Sequence, residues 1–365
     1  MQGEPNHKLA IHDVRIFDGH TITAPTTVVI DGTVIGTDPA GAQHLDVDGA
    51  ILIPGLIDAH IHLDSPHALD TYAAHGVTTA LDMGSIDTAL IEQARARTAT
   101  TTLRCAGAPI IGSAGVHAHV PGIADVGIIR HPGDAEAMVA QRVSAGSDYI
   151  KLVLEAPGEG GPDADTTKAV VTAAHARGLT VVAHTSTPGA YAMALDAGVD
   201  ALTHVPIGAR LHAADIDRLA NGAHVVIPTL VMMEGVAEIH GVAQYFPASL
   251  KTVGVLHAAG VPILAGTDAN QMTGLPVHPA QGASLHHELE LLVRAGLTPA
   301  DALNAATTLP ARHFGLTDRG AIAPGLRADL VLLDADPLAD ITATRAIRTI
   351  WCGGTEHAPA QTLSA

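Results

Sequence analysis

Apolar positions keep one period at the two ends of the chain and another in between. Residues 8–17, 27–35 and 43–53 are rich in β-branched side chains and show no helical period. The dipeptides Asp18-Gly19, Asp31-Gly32 and Asp48-Gly49 punctuate this region, which is the chemistry of tight turns between strands. From residue 56 onward, short apolar runs alternate with Ala-rich stretches at helical spacing. The runs are 56–62, 77–83, 102–111, 148–154, 179–184, 199–205, 223–231 and 261–267. Helical stretches at 87–98, 134–145, 164–177, 188–197, 213–220 and 247–259 lie between them. Gly146, Gly178, Gly198 and Gly260 close four of these helices, because glycine adopts the left-handed conformation that ends a helix without strain.

Strands that alternate with helices imply parallel βαβ units. Eight such units across the middle of the chain predict an α/β fold, a (β/α)8 TIM barrel. An open doubly wound sheet would carry a Gly-rich phosphate turn after its first strand, and none is present. Two further helical stretches follow at 282–295 and 299–316, the second introduced by Thr298-Pro299-Ala300-Asp301, an N-cap followed by proline. Residues 328–334 and 345–352 then return to strand character, and 353–365 reads as loop or tail. Neither terminal strand group buries enough apolar surface alone. The expected organisation is therefore a barrel over 55–320, flanked by one small β-sandwich assembled from 1–54 and 321–365.

Composition narrows the function. The 365 residues are 47% hydrophobic but only 2% aromatic, so Val, Ile, Leu and Ala must fill the core. Nineteen Lys and Arg against 37 Asp and Glu leave a net charge of −18, with no basic block. Nucleic-acid binding, which needs a basic face for the phosphates, is not expected. No run reaches the ~20 apolar residues of a membrane span; the stretch 225–233 is interrupted by Pro228 and Thr229. The opening Met1-Gln2-Gly3-Glu4-Pro5 lacks the layout of a signal peptide. Cys105 and Cys352 cannot build a disulfide framework, so a reducing cytoplasm is the expected setting.

Barrel active sites lie at the C-terminal ends of the strands. There the runs carry His60 and His62, Lys151, His184, His204 and Asp268. Residues i and i+2 of a strand face the same way, so His60 and His62 can converge on one cation. Imidazole nitrogen and carboxylate oxygen suit Zn²⁺ and its neighbours. Lys151 stands inside an apolar strand, where a charged amine is costly to bury. Nearby cations would depress its pKa further, and a neutral amine can take up CO₂ as a carbamate, an anionic ligand with two oxygens. The 23 histidines make any lone one weak support; the grouping is what points to metal. His117 and His119, in the Gly-rich loop 112–122, Arg210 after strand six, and Tyr245 in the segment 232–246, long enough for a lid, are the substrate-binding candidates. Glu234 and His240 belong to that same segment.

Taken together, Pro54-Gly55-Leu56-Ile57-Asp58-Ala59-His60-Ile61-His62, Tyr149-Ile150-Lys151, Ala183-His184, Ala201-Leu202-Thr203-His204 and Ala265-Gly266-Thr267-Asp268 resemble the motifs of the metal-dependent amidohydrolase superfamily. The stretch from Gly320 to Val331 resembles its C-terminal signature. The resemblance is greatest to the prolidase-like and ochratoxinase-like branch, with imidazolonepropionase-type organisation. It implies one divalent ion, most simply Zn²⁺, on His60, His62 and Asp268, and a second on His184 and His204. A carboxylated Lys151 would bridge them. It also implies hydrolysis of an amide or peptide-like bond in a small molecule such as an N-acyl amino acid or dipeptide. A metal-bridging hydroxide would be the nucleophile and Asp268 the general acid/base. Lactone or ester hydrolysis would use the same site. Family deaminases place a glutamate three residues after the strand-five histidine, where this chain has Thr187. A non-catalytic scaffold would have lost ligands. The strand-six motif departs from the usual Glu-His-Gly, reading Thr203-His204-Val205. A homo-oligomer is a family-level expectation.

Overall fold

Strands from both ends of the chain share one sheet in the computed structural model, which describes residues 8–120, 122–273 and 275–360. The N-terminal contribution is β1 (Lys8–Ile16), β2 (Thr26–Asp31), β3 (Val34–Gly36), β4 (Gln43–Asp46) and β5 (Ile51–Pro54). The middle of the chain supplies β6 (Leu56–Ile61), β7 (Val77–Asp82), β8 (Thr102–Cys105), β9 (Ile150–Leu154), β10 (Val181–Thr185), β11 (Ala201–Thr203) and β12 (Val225–Ile227). The C-terminal part adds β13 (Leu330–Leu333), β14 (Ile347–Cys352) and β15 (Thr355–His357).

The shared sheet runs β15-β14-β13-β5-β1-β2-β3, with β4 also on β1. Strand β1 serves two neighbourhoods. Its first half pairs with β2 and β4, and beyond a bulge its last residues pair with β5. Asp13, at the bulge, has φ 52°, and such bulges bend a strand and re-aim it. The sequence Ile51-Leu52-Ile53-Pro54 and its partner Leu330-Val331-Leu332-Leu333 are buried throughout, which explains their unbroken apolar character. Ile11, Ile30, Leu52, Leu330 and Trp351 form part of one apolar cluster there. Two apparent strands divide at the predicted Asp-Gly turns. The run 27–35 is a β2–β3 hairpin, and 43–53 is β4 and β5 separated by Asp48 and Gly49, both at positive φ. Part of the expected tail is strand β15, which continues the sheet; 361–365 lies outside the described residues.

The middle strands are parallel and form two ladders, β6-β7-β8 and β9-β10-β11-β12. Between and after them come α1 (Ala68–Ala74), α2 (Thr88–Arg95), α3 (Ile123–Gly127), α4 (Ala135–Ser144), α5 (Ala164–His175), α6 (Pro188–Ala197), α7 (Ala213–Asn221), α8 (Leu230–Ile239), α9 (Phe246–Ala258), α10 (Ala283–Ala295), α11 (Pro299–Ala305) and α12 (Thr308–His313). Side-chain caps start several of them. Asp87 accepts from the Ala89 and Leu90 N–H groups, Asp163 from Thr166, and Thr187 from Ala190, each satisfying a donor that a helix start leaves free. Thr298 and Asp301 form the capping box that opens α11.

Three expectations change. The run 102–111 leaves its ladder at Cys105 and reaches β9 only through an isolated bridge, Ile110 to Leu152, beside a second bridge from Ile111 to Ile128. The run 261–267 is not a ladder strand; it is tied by bridges at Ile263 to Val226 and Ala269 to Ile61. The helical stretch 299–316 breaks between α11 and α12.

Candidate active site

Six side chains singled out by type and position open on one cavity of about 660 Å³. His60 lies on β6 and His62 just past its end, Lys151 is on β9, His184 on β10, and His204 follows β11. Asp268 ends the segment that bridges to β6. His60 Nε2 is 3.4 Å and His62 Nε2 3.1 Å from Asp268 Oδ1, and His204 Nδ1 is 4.0 Å from Asp268 Oδ2. The rings of His60 and His204 have centroids 5.1 Å apart, and those of His184 and His204 4.4 Å. His60, His62 and Asp268 bring ligand-capable atoms within 4.8 Å of one another. His204 (φ 72°), Thr229 (φ 47°) and Asp268 (φ 57°) are left-handed residues other than glycine. Strain of this kind gathers at functional sites.

Polar side chains behind the cavity hold this arrangement. Buried Asp58 accepts from the Thr267 N–H at 3.0 Å, the Thr267 hydroxyl at 2.7 Å and the His60 N–H at 3.2 Å. It thereby clamps β6 to the segment carrying Asp268, whose own N–H donates to the His60 carbonyl at 2.7 Å. A Cβ on Gly266 would stand 2.9 Å from the His60 nitrogen, so only glycine permits that approach. His204 Nδ1 is 2.7 Å from the Thr229 hydroxyl, and the Tyr191 hydroxyl donates to the His204 carbonyl at 2.6 Å. Lys151 Nζ donates to Thr203 Oγ1 at 3.1 Å, so one of the two positions at which the strand-six motif departs touches the lysine. Asp82 accepts from the Leu63, Gly84 and Ser85 N–H groups and braces the turn beside His62. Sequence reasoning missed Asp58, Asp82, Thr229 and Thr267. The signal that could have found Asp58 and Asp82 is that both are acids inside apolar runs, which burial penalises unless they are hydrogen-bonded.

Burial sets the protonation. It lowers the Lys151 amine to about 7, opposed by Asp268. It lowers His204 to about 3 and puts His60 and His184 well below the usual imidazole range, helped by neighbouring cationic groups. Burial works to raise Asp268, but the His62 hydrogen bond and the surrounding imidazoles hold it below the usual carboxyl range. Neutral imidazoles and an ionised carboxylate are the forms that ligate metal. His60 Nδ1 is buried without a hydrogen-bond partner. With the donor set around it, the site fits a divalent cation.

A profile of the Amidohydrolase family matches residues 51–356. The chain belongs to the amidohydrolase family. It is a hydrolytic enzyme acting on C–N bonds. An uncharacterized protein of Mycobacterium tuberculosis is 29% identical over 348 residues, covering 86% of this chain and 87% of its own. An adenine deaminase of Methylobacterium nodulans is 29% identical over 349 residues, 89% of this chain and 55% of its own length. The crystal structure of a putative prolidase from Bifidobacterium longum superposes with a TM-score of 0.82 at 26% identity, over 98% of this chain and 97% of that one.

Around the cavity of this amidohydrolase, the substrate candidates separate. His117 lines it, with its ring centroid 4.8 Å from that of His184. His119, Arg210 and Tyr245 are not among the lining residues, and all three are exposed. The segment 232–246 is not a loose lid. Most of it is α8, whose Met232, Met233 and Val236 form a cavity wall together with His240. Glu234 points elsewhere, 2.7 Å from His287 Nε2. Glu155, four residues after Lys151, also lines the cavity and accepts from the Val116 N–H at 2.9 Å. Among the described residues, no helix is long and apolar enough to cross a membrane.

Proposed function

We propose that this amidohydrolase cleaves an amide or peptide-like bond of a small molecule with the help of two divalent cations, zinc by the chemistry of the donors. His60, His62 and Asp268 would hold one ion and His184 and His204 the other, with Lys151, carboxylated on Nζ, between them. The observation that carries the reading is the convergence of all six side chains on one cavity. When bound, the cations supply Lewis acidity and a water acidified from a pKa of 15.7 to about 7.

The chain's own residues do the rest. The low pKa of Asp268 keeps it ionised and ready to accept a proton from the attacking water, which it then returns to the leaving nitrogen. His62 Nε2 lies 3.1 Å from that carboxylate, near enough for the two to share one ion. His117 reaches the cavity from the opposite loop and can donate to a substrate carbonyl. The apolar walls exclude bulk water, which strengthens each of these interactions. The single bridges at Ile110, Ile263 and Ala269 support a closed (β/α)8 barrel beneath the site, with the terminal strands as a small β domain beside it.

The test is metal analysis of the purified protein followed by a screen of N-acyl amines, N-acyl amino acids, dipeptides and lactones. The reading expects close to two ions per chain and amide turnover that chelation abolishes. Metal-free protein after zinc exposure, or turnover of lactones alone, would overturn it. Deamination is a second reading, favoured by the adenine deaminase relative. Thr187 opposes it, being the N-cap of α6 rather than an acid aimed at the site. Ammonia release from aminopurines separates the two.

A further inference from the structure

The lining of the cavity restricts what can bind beside the reacting bond. Among the described residues, the only Lys or Arg that lines it is Lys151, which is buried and directed at Thr203. Arg142, close behind the wall, sends its guanidinium to the carbonyls of Ala108, Pro109 and Val126. Arg210, the one arginine among the substrate-binding candidates, is exposed and does not line the cavity. The chamber facing the metal-competent floor is walled by Val120, Ile123, Met232, Val236, Leu275 and Val277. Gly235 lets α8 approach that wall, since a Cβ there would be 2.6 Å from Val277 Cγ1. The other charged side chains of the lining besides Asp268 are Glu155 and Glu159, and the whole chain carries −18.

A carboxylate held in this chamber, away from the ion-binding floor, would be desolvated with no lysine or arginine to pair with it, which is unfavourable, and the chain's net charge of −18 would oppose its approach. The hydroxyls of Ser186 and Thr187 remain as donors for a carbonyl.

We infer that the substrate is an amide whose groups on either side of the reacting bond are apolar and carry no carboxylate, so that free N-acyl amino acids and dipeptides are poor substrates. This rests on the C–N hydrolysis proposed above and narrows it.

The experiment uses the zinc-loaded enzyme and three amides of matched length: N-butylhexanamide, N-hexanoyl-β-alanine and N-hexanoyl-1,3-diaminopropane. The corresponding hexanesulfonamides, which cannot be cleaved in this way, are measured by calorimetry. The alkyl amide is expected to exceed the carboxylate in kcat/KM by tenfold or more, and the alkyl sulfonamide to bind tenfold or more tighter than its carboxylate counterpart. Val236→Arg, which places a cation on the half-buried cavity face of α8, should shift the carboxylate-to-alkyl ratio toward the carboxylate by at least tenfold. If no amide is cleaved while the sulfonamides keep the alkyl preference, the hydrolase reading fails and the inference about the pocket stands. A carboxylate that binds or reacts as well as the alkyl member overturns the inference, as does failure of the alkyl sulfonamide to bind. Should the arginine variant not fold, the wild-type series decides alone.

Discussion

Lys151 is where sequence, burial and chemistry meet most sharply. It occupies a fully buried strand, its amine contacts a threonine hydroxyl rather than a carboxylate, and burial brings its pKa to about 7. A lysine kept for charge would sit near an acid that raises its pKa. Asp268 acts in that direction, and burial outweighs it. An amine half neutral near pH 7 is what carbamate formation requires. Lys151→Ala should therefore lower zinc content from two ions toward one or fewer per chain, measured by mass spectrometry of the metals, with turnover falling in parallel. Short carboxylic acids added at high concentration should restore part of both, because they can replace the lost bridging oxygens. Unchanged zinc stoichiometry in the variant would remove the bridging role. Thr203 was visible only as a departure from the expected motif. Its contact with Lys151 follows from β9 and β11 flanking β10 in one ladder, which no single stretch of sequence shows.

At the level of elements, what was legible depended on how local the signal is. The Asp-Gly turns, the glycines that close helices and the Thr298 cap depend on a few neighbouring residues, and they appear where the sequence puts them. The strand ends carrying His60, Lys151 and His184 were likewise readable, because buried parallel strands are continuous apolar runs. The segment before Asp268 misled for the same reason: it is apolar and extended, but only isolated bridges tie it to its neighbours. The region 232–246 was read as long enough for a lid, whereas most of it is α8, a helix begun from a distance. Its N-cap, Thr229, makes no side-chain cap. Instead Glu288, buried on α10, accepts from the Leu230 N–H at 3.0 Å and the Val231 N–H at 2.8 Å. A cap 57 residues away in sequence from the N–H it serves has no local signature. Glu288→Gln replaces one acceptor by a donor facing an N–H, so it should destabilise the protein by about 1–3 kcal/mol. Thermal unfolding measures that loss. Because α8 walls the cavity, KM should also rise more than kcat falls, and a Tm equal to wild type would refute the capping role.

For the molecule as a whole, one buried histidine outside the cavity lining makes stability depend on acidity. His286, on α10, lies against the end of α1 and the turn before β14, with Nε2 3.1 Å from the His75 carbonyl and Nδ1 3.1 Å from the Thr344 hydroxyl. Burial lowers it to about 3, with Arg345 and His75 adding to the effect and Glu290 opposing it. The folded chain therefore leaves this ring neutral down to about pH 3, whereas the unfolded chain protonates it near 6.5. Between those values the unfolded state binds the extra proton, so stability falls as pH falls, by up to about 1.4 kcal/mol per pH unit from this one group. Well above 6.5 the ring contributes no pH dependence. His286→Gln keeps a donor and an acceptor but cannot titrate. Its unfolding free energy, measured between pH 6.5 and 4.5 in urea, should decline less steeply than that of the wild type, with the two curves parallel above pH 7. Equal slopes below 6.5 would mean that the ring is protonated in the folded protein as well, and that the packing of α10 against the C-terminal segment yields to admit the charge.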